Sequence, residues 1–123
     1  MGKQGLARRR TNQRDVSKAW FDAAKAHSQS ELAALLAAGW DVNARDGDGR
    51  TALHHSLAPY GGSPDLAMFL VAQGADVNAK DRDGEDPLGY GYRHVSSGAE
   101  ANMLAHVGDR FERHGWLGRR SNG

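Results

Sequence analysis

Apolar residues recur along the chain at helical spacing, in short bursts separated by glycine and aspartate. Val16, Ala19, Trp20, Ala23, Ala24 and His27 follow an i, i+3, i+4 rhythm, with Asp15 ahead of them as a helix cap. Ser28-Gln29-Ser30-Glu31 reads as a capping box opening a second helix, whose Leu32, Leu35 and Leu36 face inward until Gly39 ends it. Thr51 then opens a short helix through Leu53, His54 and Leu57. Ser63-Pro64-Asp65 supplies an N-cap, a proline in the first turn and an acid for another, with Leu66, Phe69, Leu70 and Val71 running up to Gly74. A last pair follows: a short segment from Pro87, and a longer helix from about Ala99 to His114 with Met103, Leu104, Val107 and Phe111 on its apolar face. The pattern is all-α, helix pairs joined by polar turns.

The pattern also repeats itself. Gly39-Trp40-Asp41-Val42-Asn43-Ala44-Arg45-Asp46-Gly47-Asp48-Gly49 returns 35 residues later as Gly74-Ala75-Asp76-Val77-Asn78-Ala79-Lys80-Asp81-Arg82-Asp83-Gly84, and Leu35-Leu36 ahead of the first copy matches Leu70-Val71. Asp46-Gly47-Asp48-Gly49-Arg50-Thr51-Ala52-Leu53-His54 and Gly74-Ala75-Asp76-Val77-Asn78-Ala79 resemble the turn, helix start and helix end of the ankyrin repeat. The resemblance is clear over residues 16–94 and reaches about 114 if the last helix is a cap. It implies an all-α helix-turn-helix solenoid with β-turn fingers, an ankyrin-repeat stack of repeats at about 15–47, 48–82 and 83–114. The period exceeds the usual 33 by two residues, which fit best as an insertion in Pro59-Tyr60-Gly61-Gly62-Ser63. The resemblance further implies a structural His54, bonded to Thr51 and nearby backbone. Gly89 stands where that histidine belongs in the third copy, and Gly89 and Gly91 each disfavour a helix by about 1 kcal/mol, which leaves the helix at residues 87–94 in question.

Composition narrows the function. The chain has 123 residues, 39% hydrophobic but only 7% aromatic, which leaves little material for the walls of a large closed catalytic cavity. Without cysteine there is no disulfide framework, thiol nucleophile or thiolate metal site. No apolar run is long enough for a membrane span, and MGKQGLARRRTNQ lacks the apolar core of a secretory signal, so the expected location is cytoplasmic, with no membrane partner. The net charge of +1 hides a segregation: residues 1–14 carry five cations and no acid, whereas residues 41–86 hold nine acids against four bases. Residues 1–14 are expected to be a mobile basic arm and 115–123 a flexible tail, although Trp116 and Leu117 offer the last helix something to pack against.

No nucleophile with a neighbouring base, paired carboxylates in an apolar cleft, phosphate-cradling loop or metal cluster emerges, so the chain is expected to be no enzyme, with no cofactor and no bound metal. Asp81-Arg82-Asp83-Gly84-Glu85 begins like a calcium loop, but the later ligand positions fail and the earlier copy has Arg50 where a ligand belongs. What remains is binding. Asp46, Asp48, Asp81, Asp83 and Glu85, with Asp86 beside them, form an acidic edge on the stacked turns suited to a basic partner, although Asp in such turns also serves the backbone. With Arg50, His55 and Arg82 they are the expected contacts, and Trp40, Tyr60, Tyr90 and Tyr92 the expected aromatic anchors. The expectation is a protein–protein interaction module that blocks its partner through the concave face of fingers and first helices. By analogy with small ankyrin-like chains, it looks like a bacterial inhibitor or immunity protein of a toxin or effector. The alternatives are a nucleic-acid adaptor using the Arg-rich tails, and a regulatory subunit of an enzyme.

Overall fold

The structure, a computed structural model, describes residues 13–58 and 62–117. Among these, six helices occur and no strand: α1 (Gln13–Lys25), α2 (Gln29–Ala37), α3 (Ala52–Ser56), α4 (Pro64–Ala72), α5 (Pro87–Arg93) and α6 (Gly98–Glu112). They pack as pairs, α1 on α2, α3 on α4 and α5 on α6. The first members form a continuous row, with α3 seated between α1 and α5, while α4 also touches α6. The core between the rows is Trp20, Ala24, Leu32, Leu53, Leu57, Leu66, Leu70, Leu88, Leu104 and Phe111, all essentially without exposure. One pair alone would leave its apolar stripe in water, and stacking buries it.

Helix starts depart from the sequence reading in detail. Asp15 lies inside the first turn of α1, favourable to the helix dipole but not its cap. Ser28 sits at the N-cap of α2, yet its side chain accepts no capping hydrogen bond, so the expected box with Glu31 is not made. Ser63 and Asp86 do cap, accepting from the N–H groups of Leu66 and Gly89, each with a proline in the first turn. In α1 the buried face is Trp20, Phe21, Ala23 and Ala24, while Ala19 is exposed. Residues 59–61, with the expected Tyr60 anchor, lie outside the described part, as do 1–12 and 118–123.

Helix ends are more regular than the repeat predicted. At Gly39, Gly74 and Gly115 the backbone takes φ of +101°, +99° and +93°. Each glycine N–H donates back to the helix, to Leu36, Val71 and Glu112, and the next N–H, of Trp40, Ala75 and Trp116, donates to Leu35, Leu70 and Phe111 at 3.0–3.1 Å. This is the same C-terminal cap three times, workable because glycine carries no Cβ. The third cap extends the packed chain past the boundary expected at residue 114: Trp116 is buried, and its indole N–H donates to Asp86 Oδ2 at 2.7 Å.

Segment 87–93 is helical despite its two glycines. A Cβ on Gly91 would sit 3.1 Å from both Cβ and the carbonyl oxygen of Leu57 and 3.3 Å from Leu104, so the missing side chain is what lets α5 close on α3 and α6. The helix-propensity cost is offset by tertiary packing.

Candidate functional site

Each finger is a tight turn organised by its first aspartate. Asp46 Oδ1 accepts from the N–H groups of Asp48 and Arg50 at 2.9 and 3.0 Å, and Asp81 Oδ1 accepts from those of Asp83 and Glu85, both at 2.9 Å. The turns stack: Arg82 N–H donates to the Asp48 carbonyl at 2.9 Å, while the Arg45 and Arg82 guanidinium groups reach the carbonyls of Lys80 and Gly47. At the base, Asn43 and Asn78 act as equivalent brackets. Asn43 bridges the Gly74 carbonyl and the Asp76 N–H, and Asn78 bridges the Gly115 carbonyl and the Leu117 N–H.

The second oxygen of each turn aspartate has a different partner. Asp46 Oδ2 accepts from His55 Nε2 at 2.8 Å. Asp81 Oδ2, on a fully buried side chain, accepts from Arg50 Nε at 3.1 Å. Arg50 is the hub of the region: its other nitrogens reach Asp48 at 3.3 Å and Asp83 at 3.4 Å, and its guanidinium lies 4.4 Å over the Tyr90 ring. Burial pushes the Asp81 carboxyl up, but the Glu85 N–H, Arg50 and the Asp83 N–H outweigh it and hold it below the ordinary value. Asp46 behaves alike, burial being outweighed by His55 and two backbone N–H groups.

The paired histidines do different work. His54 Nδ1 accepts from the Thr51 N–H at 3.1 Å, which places the proton on Nε2, where it is donated to the Glu85 carbonyl at 2.9 Å. This ring ties a helix start to the next finger, the structural role the resemblance implied. His55 faces the other way, between Phe21 and Tyr90. Burial holds both imidazoles below their ordinary value, for His55 against the pull of Asp46.

These parts enclose an open cleft of about 380 Å³, lined by Lys25, Asp46, Asp48, Arg50, His55, Ala58, Tyr90 and His94. It lies where fingers meet the first-helix row. His55 and Tyr90 hold equivalent positions on α3 and α5, 35 residues apart, so the repeat aims both into it. Of the residues expected from sequence, Asp46, Asp48, Arg50, His55 and Tyr90 come together here. Asp81, Asp83, Glu85 and Arg82 form the adjoining finger, behind Arg50. Trp40 lies outside the cleft, half-buried and packed against the core. Tyr92, 41% exposed, is also outside the cleft. Sequence reasoning missed Lys25, Ala58 and His94. His94 follows Tyr90 by one helical turn, a relation hidden while the helix at 87–94 was in question, and its Nδ1 donates to the Tyr90 carbonyl at 3.0 Å.

The acidic edge is not the open field that the charge count suggested. Arg50 joins Asp48, Asp81 and Asp83, Arg82 approaches Asp48 at 3.8 Å, and Arg93 lies 3.6 Å from Asp83 and 3.4 Å from Glu85. Among the described residues no group of three or more His, Cys, Asp or Glu is arranged to hold a metal, and no helix is long and apolar enough to cross a membrane.

No curated protein matches the chain. The family described as ankyrin repeats, in three copies, matches residues 20–106, and such repeats are generally protein–protein interaction modules, typically without enzymatic activity. With three identically capped helix pairs, stacked fingers and a match over most of its length, the chain belongs to the ankyrin-repeat family.

Proposed function

We propose that the chain binds a partner protein in the cleft between its fingers and first helices, and acts by covering the surface it holds. The observation that carries this reading is the convergence of five expected contact residues, Asp46, Asp48, Arg50, His55 and Tyr90, on one cleft built on rigid elements. The cleft has the makings of an interaction centre: a Tyr and an Arg, types enriched at binding hot spots, already locked against each other. The compensated finger carboxylates give electrostatic steering toward a basic partner a smaller part than the sequence suggested.

Photo-crosslinking tests the assignment. A benzophenone side chain placed at exposed His94, on the cleft, is expected to capture a specific protein from host extract. The same group at exposed His106, beside the groove between α4 and α6, is expected not to. Capture from His106 alone would overturn the proposal. The narrower reading, an inhibitor or immunity protein of a bacterial toxin or effector, requires that adding the chain suppress the captured protein's activity. A nucleic-acid adaptor would instead bind polynucleotide through the arginine-rich ends and release it as salt rises.

A further inference from the structure

We propose that the cleft recognises a carboxylate, the side chain of an Asp or Glu on the partner protein, through the Tyr90 hydroxyl and the Lys25 ammonium. This rests on the cleft being the partner site and adds what the partner places there.

The polar groups of the cleft divide into those already spent and those still free. Asp46 has both oxygens occupied by N–H donors from Asp48, Arg50 and His55. Asp48 lies against Arg50 and Arg82, and all three guanidinium nitrogens of Arg50 face carboxylates. For a basic side chain the cleft offers only Asp48 Oδ1, the one carboxylate oxygen of the lining that accepts no hydrogen bond, and that oxygen already faces Arg82 at 3.8 Å. The unspent groups are donors. Among the described residues, Lys25 is the cation of the lining that makes no ion pair or hydrogen bond, its pull on Asp22 acting at longer range while Lys18 holds that carboxylate at 2.6 Å, and the Tyr90 hydroxyl makes no hydrogen bond to any of them. An acidic side chain would find both donors on the lining of the cleft, with no hydrogen bond of theirs to displace.

The tyrosine is also prepared for the role. Its ring is held by the Arg50 guanidinium at 4.4 Å, by His94 at 4.6 Å and by the edges of His54 and His55 at 5.9 and 6.1 Å. Little side-chain freedom remains to be lost on binding, which favours a fixed hydroxyl as an anchor. The volume of about 380 Å³ suits one or two side chains, with Ala58 and the ring as the apolar wall for a methylene stem.

The test uses N-acetyl-glutamate amide as the probe, followed by NMR on the whole chain, with N-acetyl-glutamine amide and N-acetyl-lysine amide as controls. The expected result is saturable, millimolar shifts at Tyr90 and Lys25 with the glutamate probe and much weaker shifts with the controls. Tyr90→Phe keeps the ring and its stacking but deletes the hydroxyl, and is expected to weaken glutamate binding about tenfold, the loss of one hydrogen bond to a charged acceptor. Lys25→Met, on an exposed side chain, is a second variant that leaves the core untouched, with an expected loss of a few-fold. Equal response to glutamine, preference for lysine, or unchanged affinity in both variants would overturn the proposal. If the His94 crosslink still forms while Tyr90→Phe holds the captured protein at full affinity, the carboxylate reading fails and the cleft stands. If His94 gives no crosslink, the cleft reading itself fails.

Discussion

Replacing Arg50 with methionine keeps most of the aliphatic stem and removes the charge that three finger carboxylates share. The consequence is set by Asp81, whose side chain has no solvent exposure and whose Oδ2 takes its hydrogen bond from Arg50 Nε. Breaking a buried ion pair from one side costs about 3–5 kcal/mol, because the remaining charge stays desolvated. Oδ1 keeps the N–H groups of Asp83 and Glu85, which places the cost near the lower end, about 3 kcal/mol. The longer contacts to half-exposed Asp48 and Asp83 add little, and the lost cation–π contact with Tyr90 adds about 0.5–1 kcal/mol. Arg50→Met should therefore lose about 3–4 kcal/mol in urea unfolding and roughly 10–15 °C in Tm. Adding Asp81→Asn should recover much of that loss, since the stranded charge is then gone. The pH dependence carries the same logic with a definite sign. The native Asp81 carboxyl lies below its ordinary 3.8, so its contribution is present above that value and lost as pH falls through the lower native one. Part of that shift comes from Arg50, so the gap between parent and variant should narrow in acid. A loss under about 1 kcal/mol, or no rescue by Asp81→Asn, would show that backbone bonds alone hold the fingers together and refute the hub assignment.

Other changes test the remaining elements. Gly91→Ala adds a Cβ 3.1 Å from the Leu57 carbonyl, so overpacking should outweigh the roughly 1 kcal/mol gained in helix propensity, with a net loss of about 1 kcal/mol; Gly98→Ala, with open space around it, should not destabilise, and equal behaviour of the two in thermal melts would contradict the close-approach account. Trp116→Phe removes the buried hydrogen bond to Asp86 and should cost about 1.5–3 kcal/mol, with faster amide exchange in α5 and α6; exchange unchanged from the parent would mean that Trp116 does not fasten the third repeat. Because burial holds the native His54 and His55 imidazoles below 6.5, the unfolded chain binds protons first as pH drops: stability should be full above about pH 6.5 and decline below it toward the native values, and a urea midpoint constant between pH 7.5 and 5 would contradict their burial as neutral groups.

What the sequence disclosed and what it concealed differ in kind. Helix pairs, caps at Gly39 and Gly74, and the fingers were legible because each is a local device, a few residues whose chemistry is completed within one turn. The third cap escaped because Gly115 lies 41 residues after Gly74, not 35, and its neighbour is Trp116 where the second copy has alanine. Yet the first copy already pairs Gly39 with Trp40, and that dipeptide was the available signal. The helix at Pro87–Arg93 was obscured because propensity weighs Gly91 as a cost, whereas the reason for the glycine is Leu57, 34 residues earlier. Charge was misleading for a related reason: a count along the chain treats Arg50 as one cation among many acids, but stacking brings Asp48, Asp81 and Asp83 to the same guanidinium. In a solenoid the repeat fixes which residues are equivalent, and equivalence at a period of 35 places His55 and Tyr90 side by side at the groove. The functional contrast then comes from where the copies disagree, since a tyrosine hydroxyl has replaced an imidazole and Arg50 is answered by Glu85. The differences between repeats, more than the repeat itself, are what give this surface something particular to bind.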